Sequence, residues 1–271
     1  MIWHTLRQGI PSFWKIAFRH IRSVLMDPLG RGIEIVISGQ RVRVPAYFRG
    51  GGRADYETIA TARFVRWIGE HPQATVIDCG CSLSTYGLIA LNRSSTVRVI
   101  GIDPDLVSLK CTRNLCAKSP GFPDGLHVVH GFLGVDHLSS ATLATAAALT
   151  QRQIDDPSVP GIIEATGYRE ATDAQFSTVP RHSLDGLTQL EAAPASYLLK
   201  IDVEGFELQV LRGATDFLAR CRPTILLSAH PQFFARLGTS TEELVEFLRA
   251  HRYRYSLLAT DHEEHWWCEP M

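Results

Sequence analysis

The chain has 271 residues, of which 45% are hydrophobic, 20% charged and 9% aromatic. This composition is typical of a packed globular protein, long enough for one large domain with an extension, and excludes a largely disordered chain. The formal net charge of −1 gives no reason to expect a nucleic-acid partner.

The cysteines and the apolar runs bear on where the protein works. The six cysteines form no C-x-x-C pair and no disulfide framework, so we expect reduced thiols and a cytoplasmic location. The sequence lacks the apolar run of about 18 residues that a transmembrane helix needs. Charged residues interrupt the first apolar residues, so no signal peptide is expected.

Residues 1–55 are predicted to form an N-terminal extension of helices and a hairpin. Residues 3–26 indicate one or two short helices, interrupted at Pro11. Packing against the domain is favoured, and the alternative is a basic amphipathic surface that touches a membrane or a partner. Ile33–Ser38 and Arg41–Pro45 alternate in polarity around a Gly-Gln turn, which predicts a β-hairpin.

Residues 56–271 are predicted to form one domain in which strands and helices alternate. The predicted helices are Tyr56–Glu70, Thr85–Leu91, Leu106–Cys116, Leu184–Leu190, Phe206–Ala219 and Ser240–His251. The predicted strands are Thr75–Ile77, Val97–Ile102, His127–His130, Tyr197–Ile201 and Thr224–Leu227, followed by an antiparallel pair, Arg254–Leu258 and His265–Cys268. Such alternation predicts a parallel sheet with right-handed crossovers.

An insertion at about residues 138–182 breaks this alternation. Ser139–Gln151 is rich in alanine and threonine and indicates a surface helix. Gly161–Ala165 and Gln175–Val179 are predicted strands of an inserted hairpin. Because long insertions of this kind are often functional, we expect the segment to shape access of the substrate.

A first group of polar residues follows two neighbouring predicted strands. Asp78 ends the first strand, Gly80 and Ser82 form a tight turn before a helix, and Asp103 ends the next strand. Helix N–H groups and a close backbone suit a polar or anionic ligand, and the second carboxylate can accept two hydrogen bonds from a ribose diol. The alternative is that both acids only cap loops.

Two nucleotide-binding fingerprints are missing from this turn. In the G-x-G-x-x-G pattern that starts at Gly80, Ser82 and Thr85 stand where the later glycines belong. There is also no G-x-x-x-x-G-K-[ST] sequence. Both observations weigh against a nucleotide-dependent oxidoreductase and against a Walker-type ATP site.

A second group combines Lys200, Asp202 and Glu204 with His230 after the next strand. Charged groups at the end of an apolar strand are costly unless paired or functional. The possibilities are a lysine–carboxylate network that fixes the loop, a general base, a substrate clamp or a divalent-metal site. The spacing supports a metal least, and no metal ligand is assigned. His262–His265 is predicted to be a solvated turn.

Four segments resemble the FkbM-type methyltransferases: VIDCGCSLSTYG, VIGIDPD, YLLKIDVEGFELQVLRGA and ILLSAHPQ. The resemblance covers about Tyr56–Leu258, and KIDVEGFELQVLRGA is its most specific block, with HSLDGL before it. It implies a class I, Rossmann-like α/β fold with a mostly parallel seven-stranded sheet and helices on both faces. It also implies that the cofactor is S-adenosylmethionine.

The resemblance assigns cofactor contacts residue by residue. The residues it places along the methionine part of the cofactor are Asp78, Gly80, Cys81, Ser82 and Ser84. It implies that Asp103 holds the ribose and that Phe132 lies near the adenine. The sequence departs from the family pattern at Ser84, where another glycine is usual, and at Cys81-Ser82, where a small Ala-Asn pair is common.

The resemblance also implies methyl transfer to a hydroxyl group of a sugar or a natural-product intermediate. The acceptor would be a small molecule or a glycan. We expect Asp202, Glu204 or His230 to deprotonate or orient it, with Lys200 in the same catalytic group. The competing hypotheses are a nucleotide-dependent oxidoreductase and a non-catalytic binding protein that keeps the fold.

Overall fold

The structure, a computed structural model, describes residues 27–48, 57–135, 142–160, 178–188 and 196–271, together with Ile21 and Leu25. The helices predicted within residues 3–26 and nearly all of the predicted inserted hairpin lie outside the described residues. Among the described residues, no helix is long and apolar enough to cross a membrane.

The secondary structure follows the predicted order. The strands are β1 Ile33–Ile37, β2 Gln40–Val44, β3 Thr75–Cys79, β4 Arg98–Asp103, β5 Leu126–His130, β6 Phe132–Leu133, β7 Arg181–His182, β8 Tyr197–Ile201, β9 Thr224–Ala229, β10 Tyr253–Thr260 and β11 Glu264–Pro270. The helices are α1 Thr58–Glu70, α2 Thr85–Arg93, α3 Leu106–Cys116, α4 Leu143–Asp155, α5 Leu184–Thr188, α6 Glu207–Arg212, α7 Thr215–Cys221, α8 Pro231–Phe234 and α9 Thr241–Ala250.

Seven strands form one central sheet in the order β10-β11-β9-β8-β3-β4-β5. All neighbours are parallel except β11, which runs antiparallel to both β9 and β10. From β3 the sheet grows one way through β4 and β5, and from β8 it grows the other way through β9. The carboxyl ends of β3 and β8 therefore form a topological switch point, where open α/β sheets bind ligands.

Hydrophobic layers cover both faces of the sheet, as the continuous apolar runs of its central strands require. Ile77, Leu199 and Leu227 pack on one face with side chains of α6, α7 and α9. Their chain neighbours Val76 and Leu198 pack on the opposite face with α1, α2 and the β1–β2 hairpin. The parallel sheet predicted from the alternation is confirmed.

One predicted helix is wrong in its extent. Phe206–Ala219 is divided into α6 and α7, with the break at Gly213. A Cβ atom at Gly213 would overlap the backbone carbonyl of Gly134, so a different part of the chain crosses closely at this point. The predicted hairpin is confirmed, and Ser38 and Gly39 at its turn have φ angles of 48° and 74°, which is typical of a type I′ turn.

The start of α7 is capped from outside the helix. The residue before α7 is Ala214, whose side chain cannot accept a hydrogen bond. Instead, the carboxylate of Asp185 in α5 accepts from the backbone N–H groups of Phe217 at 2.7 Å and Asp216 at 3.1 Å. Asp185 lies in the HSLDGL block, so one residue of that block has a structural role.

We predict that Asp185→Ala lowers the free energy of unfolding by about 1–2 kcal/mol, the usual cost of losing a helix cap. Asp216→Ala is the matched control, because this aspartate is exposed in the same first turn, and it should cost less than about 0.5 kcal/mol. Urea denaturation of both variants measures the difference, and equal losses would contradict the capping role.

Candidate active site

The loops after β3 and β8 touch at Gly80. The backbone N–H of Asp202 donates to the carbonyl of Cys79 at 2.9 Å, and those of Gly80 and Cys81 donate to the carbonyl of Ile102 at 2.9 and 3.1 Å. Gly80 has φ 75°, and a Cβ atom there would overlap the carbonyl oxygen of Asp202. Glycine is therefore required at this position for its backbone conformation and for space.

Two serines of the same loop have left-handed backbones. Ser82 and Ser84 both have φ 47°, a region in which glycine is favoured. The fully buried Ser84 donates its hydroxyl hydrogen bond to Oδ2 of Asp78 at 2.7 Å. The loop thus keeps a glycine-like conformation at Ser84, and the serine supplies a partner for a buried carboxylate.

Asp78 and Asp103 are both buried carboxylates with raised pKa values. Burial raises the pKa of each to about 6; the hydrogen bond from Ser84 partly offsets this for Asp78, and backbone hydrogen bonds do so for Asp103. The two oxygens of Asp103 accept from the backbone N–H groups of Ser82 and Asp105, each at 2.8 Å. Each oxygen has a second acceptor position, so the ionised carboxylate fits a ribose diol.

Two other predicted cofactor residues differ in their surroundings. Cys81 turns its thiol into a small apolar cluster with Leu109 and Val128, and burial raises the pKa of that thiol well above its ordinary value. Only the small size and backbone of Cys81 would then serve a ligand. Phe132 is half-buried and begins β6, directly after the carboxyl end of β5; its contact with an adenine stays a prediction.

Lys200 is 1% exposed and lies in β8 opposite Asp78 of β3. Its ammonium donates to Oδ2 of Asp202 at 3.2 Å and to the hydroxyl of Ser228, and it lies 5.3 Å from the ring centre of Tyr86. Burial lowers the pKa of Lys200, but attraction by surrounding carboxylates, Asp202 foremost, outweighs it and raises the pKa. The side chain is therefore a buried cation at neutral pH.

His230 lies between carboxylates on both sides of its ring. Nδ1 is 2.7 Å from Oε1 of Glu207, and Nε2 is 2.8 Å from Oε2 of Glu263. Nε2 also lies 3.8 Å from Oδ1 of Asp202 and 3.6 Å from Oε2 of Glu204. Burial lowers the pKa of His230, but the hydrogen bonds to Glu207 and Glu263 outweigh it and raise the pKa to about 10.

The prediction that His262–His265 is a solvated turn is wrong for two of its residues. Glu263 is 4% exposed and His265 is fully buried, whereas the side chain of His262 is 57% exposed. The reason is that β11 pairs with β9, which places His265 opposite Ser228. The turn therefore delivers a carboxylate and an imidazole to the same sheet edge as His230.

The structure thus brings Lys200, Asp202, Glu204 and His230 together, while their chemical roles stay predictions. The polar residues of this cluster that sequence reasoning missed are Glu57, Tyr86, Glu207, Ser228, Glu263 and His265. Strand alternation could have found Ser228, which lies two residues before His230. Nothing in the sequence around Glu57 indicates that it belongs to this cluster. Its carboxylate accepts a 2.6 Å hydrogen bond from the hydroxyl of Tyr86 in the first turn of α2.

The central sheet, with its switch point at β3 and β8 and its reversed strand β11, defines the class I methyltransferase fold. A family model described as the methyltransferase FkbM domain matches residues 90–255. The chain therefore belongs to the FkbM methyltransferases, a family within the S-adenosylmethionine-dependent methyltransferases. The loop around Gly80 lies before the matched residues.

Three solved structures illustrate what the chain is similar to. A methyltransferase FkbM from Methylobacillus flagellatus KT is 17% identical over 73% of this chain and 44% of its own, with a TM-score of 0.49. A precorrin-6y C5,15-methyltransferase from Geobacter metallireducens GS-15 is 11% identical over 82% and 93%, with a TM-score of 0.45. A Geobacter sulfurreducens methyltransferase is 14% identical over 100% and 96%, with a TM-score of 0.42. No curated protein matches the chain.

We predict that Gly80→Ala destabilises the protein more than Gly39→Ala does. The two glycines have nearly the same φ, 75° and 74°, but a Cβ atom at Gly39 meets nothing within 4 Å. Gly39→Ala should therefore cost only the left-handed backbone penalty of about 1–2 kcal/mol. Gly80→Ala adds the overlap with Asp202, and urea denaturation should show a larger loss. Equal losses would mean that the loops after β3 and β8 do not touch closely.

Proposed function

We propose that the protein transfers a methyl group from S-adenosylmethionine to a hydroxyl group of a small-molecule or glycan acceptor, such as a sugar or a natural-product intermediate. The FkbM match over residues 90–255 carries this proposal. The matched residues include Asp103, Asp202 and His230, which lie at the carboxyl ends of β4, β8 and β9.

The cofactor is proposed to lie over the loop after β3. Asp103 would accept the ribose hydroxyls with its two remaining acceptor positions. The tight turn of Gly80 and Ser82 and the buried pair of Ser84 with Asp78 would shape the space for the methionine part. Phe132, after β5, is proposed to lie near the adenine.

The acceptor is proposed to lie beside Asp202 and Glu204. When bound, S-adenosylmethionine supplies a methyl group on a sulfonium, so that the C–O bond forms as the C–S bond breaks and S-adenosylhomocysteine leaves. The chain has to align the hydroxyl and remove its proton. The side chains of Asp202 and Glu204 are 24% and 58% exposed, so these carboxylates are open to an acceptor.

Lys200 and His230 are proposed to position these carboxylates rather than take the proton. Lys200 is a buried cation bound to one oxygen of Asp202. Both nitrogens of His230 face carboxylates of the chain, so neither is open to the acceptor. The proton of the hydroxyl would pass to Asp202 or Glu204.

Calorimetry with S-adenosylhomocysteine and with NAD tests this proposal. We expect the purified protein to bind S-adenosylhomocysteine at one site and to bind NAD only weakly, if at all. Tight binding of NAD alone would overturn the proposal in favour of an oxidoreductase. Absence of binding to either ligand would favour a non-catalytic binding protein.

We predict that the affinity for S-adenosylhomocysteine falls as the pH falls through about 6. The pKa of Asp103 is raised to about 6, so its carboxylate is ionised above that pH and loses acceptor positions below it. The association constant should drop about tenfold between pH 7 and pH 5 if only the ionised form binds.

Asp103→Asn should bind weakly at both pH values and show a shallower pH dependence. Asp105→Asn is the matched control. Asp105 caps α3 by accepting from Val107 and Ser108, and asparagine caps helices equally well. Wild-type affinity in Asp103→Asn at pH 7 would contradict the ribose role.

A further inference from the structure

We infer that Asp202, His230 and Glu263 bind one divalent cation, of the Mg²⁺ or Mn²⁺ class, at the acceptor side of the site. The role of the cation in catalysis rests on the proposed function, because the ion would act on the acceptor of the methyl group. The three side chains come from the loops after β8 and β9 and from the turn before β11. They meet at the carboxyl edge of the sheet.

The donor atoms are close enough to share one ion. Nε2 of His230, a carboxylate oxygen of Glu263 and one of Asp202 all lie within 4.8 Å of one another. Neighbouring ligands of an octahedral cation at about 2.1 Å lie about 3 Å apart, near the 2.8 Å between Nε2 and Oε2 of Glu263. Two carboxylates and one imidazole match the ligand preference of Mg²⁺ and Mn²⁺ better than that of a thiophilic metal.

Glu207 orients the imidazole in the way that metal-binding histidines require. Its Oε1 lies 2.7 Å from Nδ1 of His230 and also accepts from the backbone N–H of Gly205 at 3.0 Å. Glu207 is fully buried, so this carboxylate is fixed. A bound cation would take the place of the proton that Nε2 shares with Glu263 at 2.8 Å. The carboxylate of Glu207 would then keep the remaining proton on Nδ1, so that the lone pair of Nε2 faces the ion.

The concentration of carboxylates around His230 also favours a bound cation. Glu207 and Glu263 are buried beside one imidazole, while Asp202 shares its other oxygen with Lys200. Oε1 of Glu263 is buried and makes no hydrogen bond to any described residue; Nδ1 of His265 lies 3.5 Å from it. Buried carboxylates are costly unless they are paired or coordinate a metal.

The cluster is open on the side where an acceptor would bind. Asp202 is partly exposed, and the carboxylate of Glu204 lies 3.6 Å from Nε2 of His230 at the surface. A cation there would have coordination positions left for the hydroxyl oxygen of the acceptor and would lower the pKa of that hydroxyl. Glu204 would then be the carboxylate that accepts the proton.

A neighbouring set of donors provides an internal control. One possible ligand atom from each of Glu57, His262 and Glu263 also lies within 4.8 Å of the other two. Glu263 belongs to both this set and the proposed site. Replacement of His262 therefore disrupts the neighbouring set only, whereas replacement of Asp202 disrupts the proposed site only.

The test is a titration of EDTA-treated, dialysed full-length protein with MnCl₂, in which the electron paramagnetic resonance signal of free Mn²⁺ gives the bound fraction. We expect one Mn²⁺ per chain. Asp202→Asn and His230→Gln should weaken binding at least tenfold, the usual effect of disturbing a metal site, whereas His262→Gln should bind as the wild type does. Circular dichroism melting checks that each variant folds. If His230→Gln does not fold, Asp202→Asn alone is compared with His262→Gln.

Three results would overturn the inference. They are no Mn²⁺ binding at millimolar concentration, unchanged binding in Asp202→Asn, or a loss in His262→Gln as large as that in Asp202→Asn. Titration of the EDTA-treated protein with S-adenosylhomocysteine separates the two proposals. Binding of S-adenosylhomocysteine without binding of Mn²⁺ removes the metal site only, whereas absence of S-adenosylhomocysteine binding removes the proposed function.

Discussion

The buried ammonium group of Lys200 joins the two halves of the sheet edge. An ion in the protein interior is costly unless its charge is matched, and this one is matched by Asp202 and solvated by the hydroxyl of Ser228. Its position opposite Asp78 places it between the loop after β3 and the carboxylates after β8. Removal of the ammonium would leave buried carboxylates without their cation, so the polar cluster depends on it.

The topology explains why these groups meet. β3 and β8 are neighbours, but the chain leaves their carboxyl ends toward opposite halves of the sheet. The loop after β3 carries small residues and the buried Asp78, and the loop after β8 carries Asp202 and Glu204. Because the two loops are in contact at Gly80, a ligand held by the first loop lies directly beside the carboxylates of the second. Methyl transfer between two bound molecules needs such a juxtaposition.

Much of the fold could be predicted from the sequence, because apolar strands that end in acids carry a strong local signal. The same signal placed Asp78, Asp103 and Asp202 at one edge of the sheet. The division of Phe206–Ala219 into two helices could not be predicted, since it depends on the close approach of Gly134. Glu57 and Glu263 were missed for a similar reason: they lie far from β8 in sequence and reach Lys200 and His230 only through tertiary packing.

We propose that the loop after β3 binds the cofactor and presents it to the carboxylates after β8. A crystal structure of the protein with S-adenosylhomocysteine would show this arrangement. We expect the ribose hydroxyls to lie within hydrogen-bond distance of Asp103 and the sulfur to face Asp202 and Glu204. A ligand bound away from Asp103, or with its sulfur turned away from the loop after β8, would contradict it.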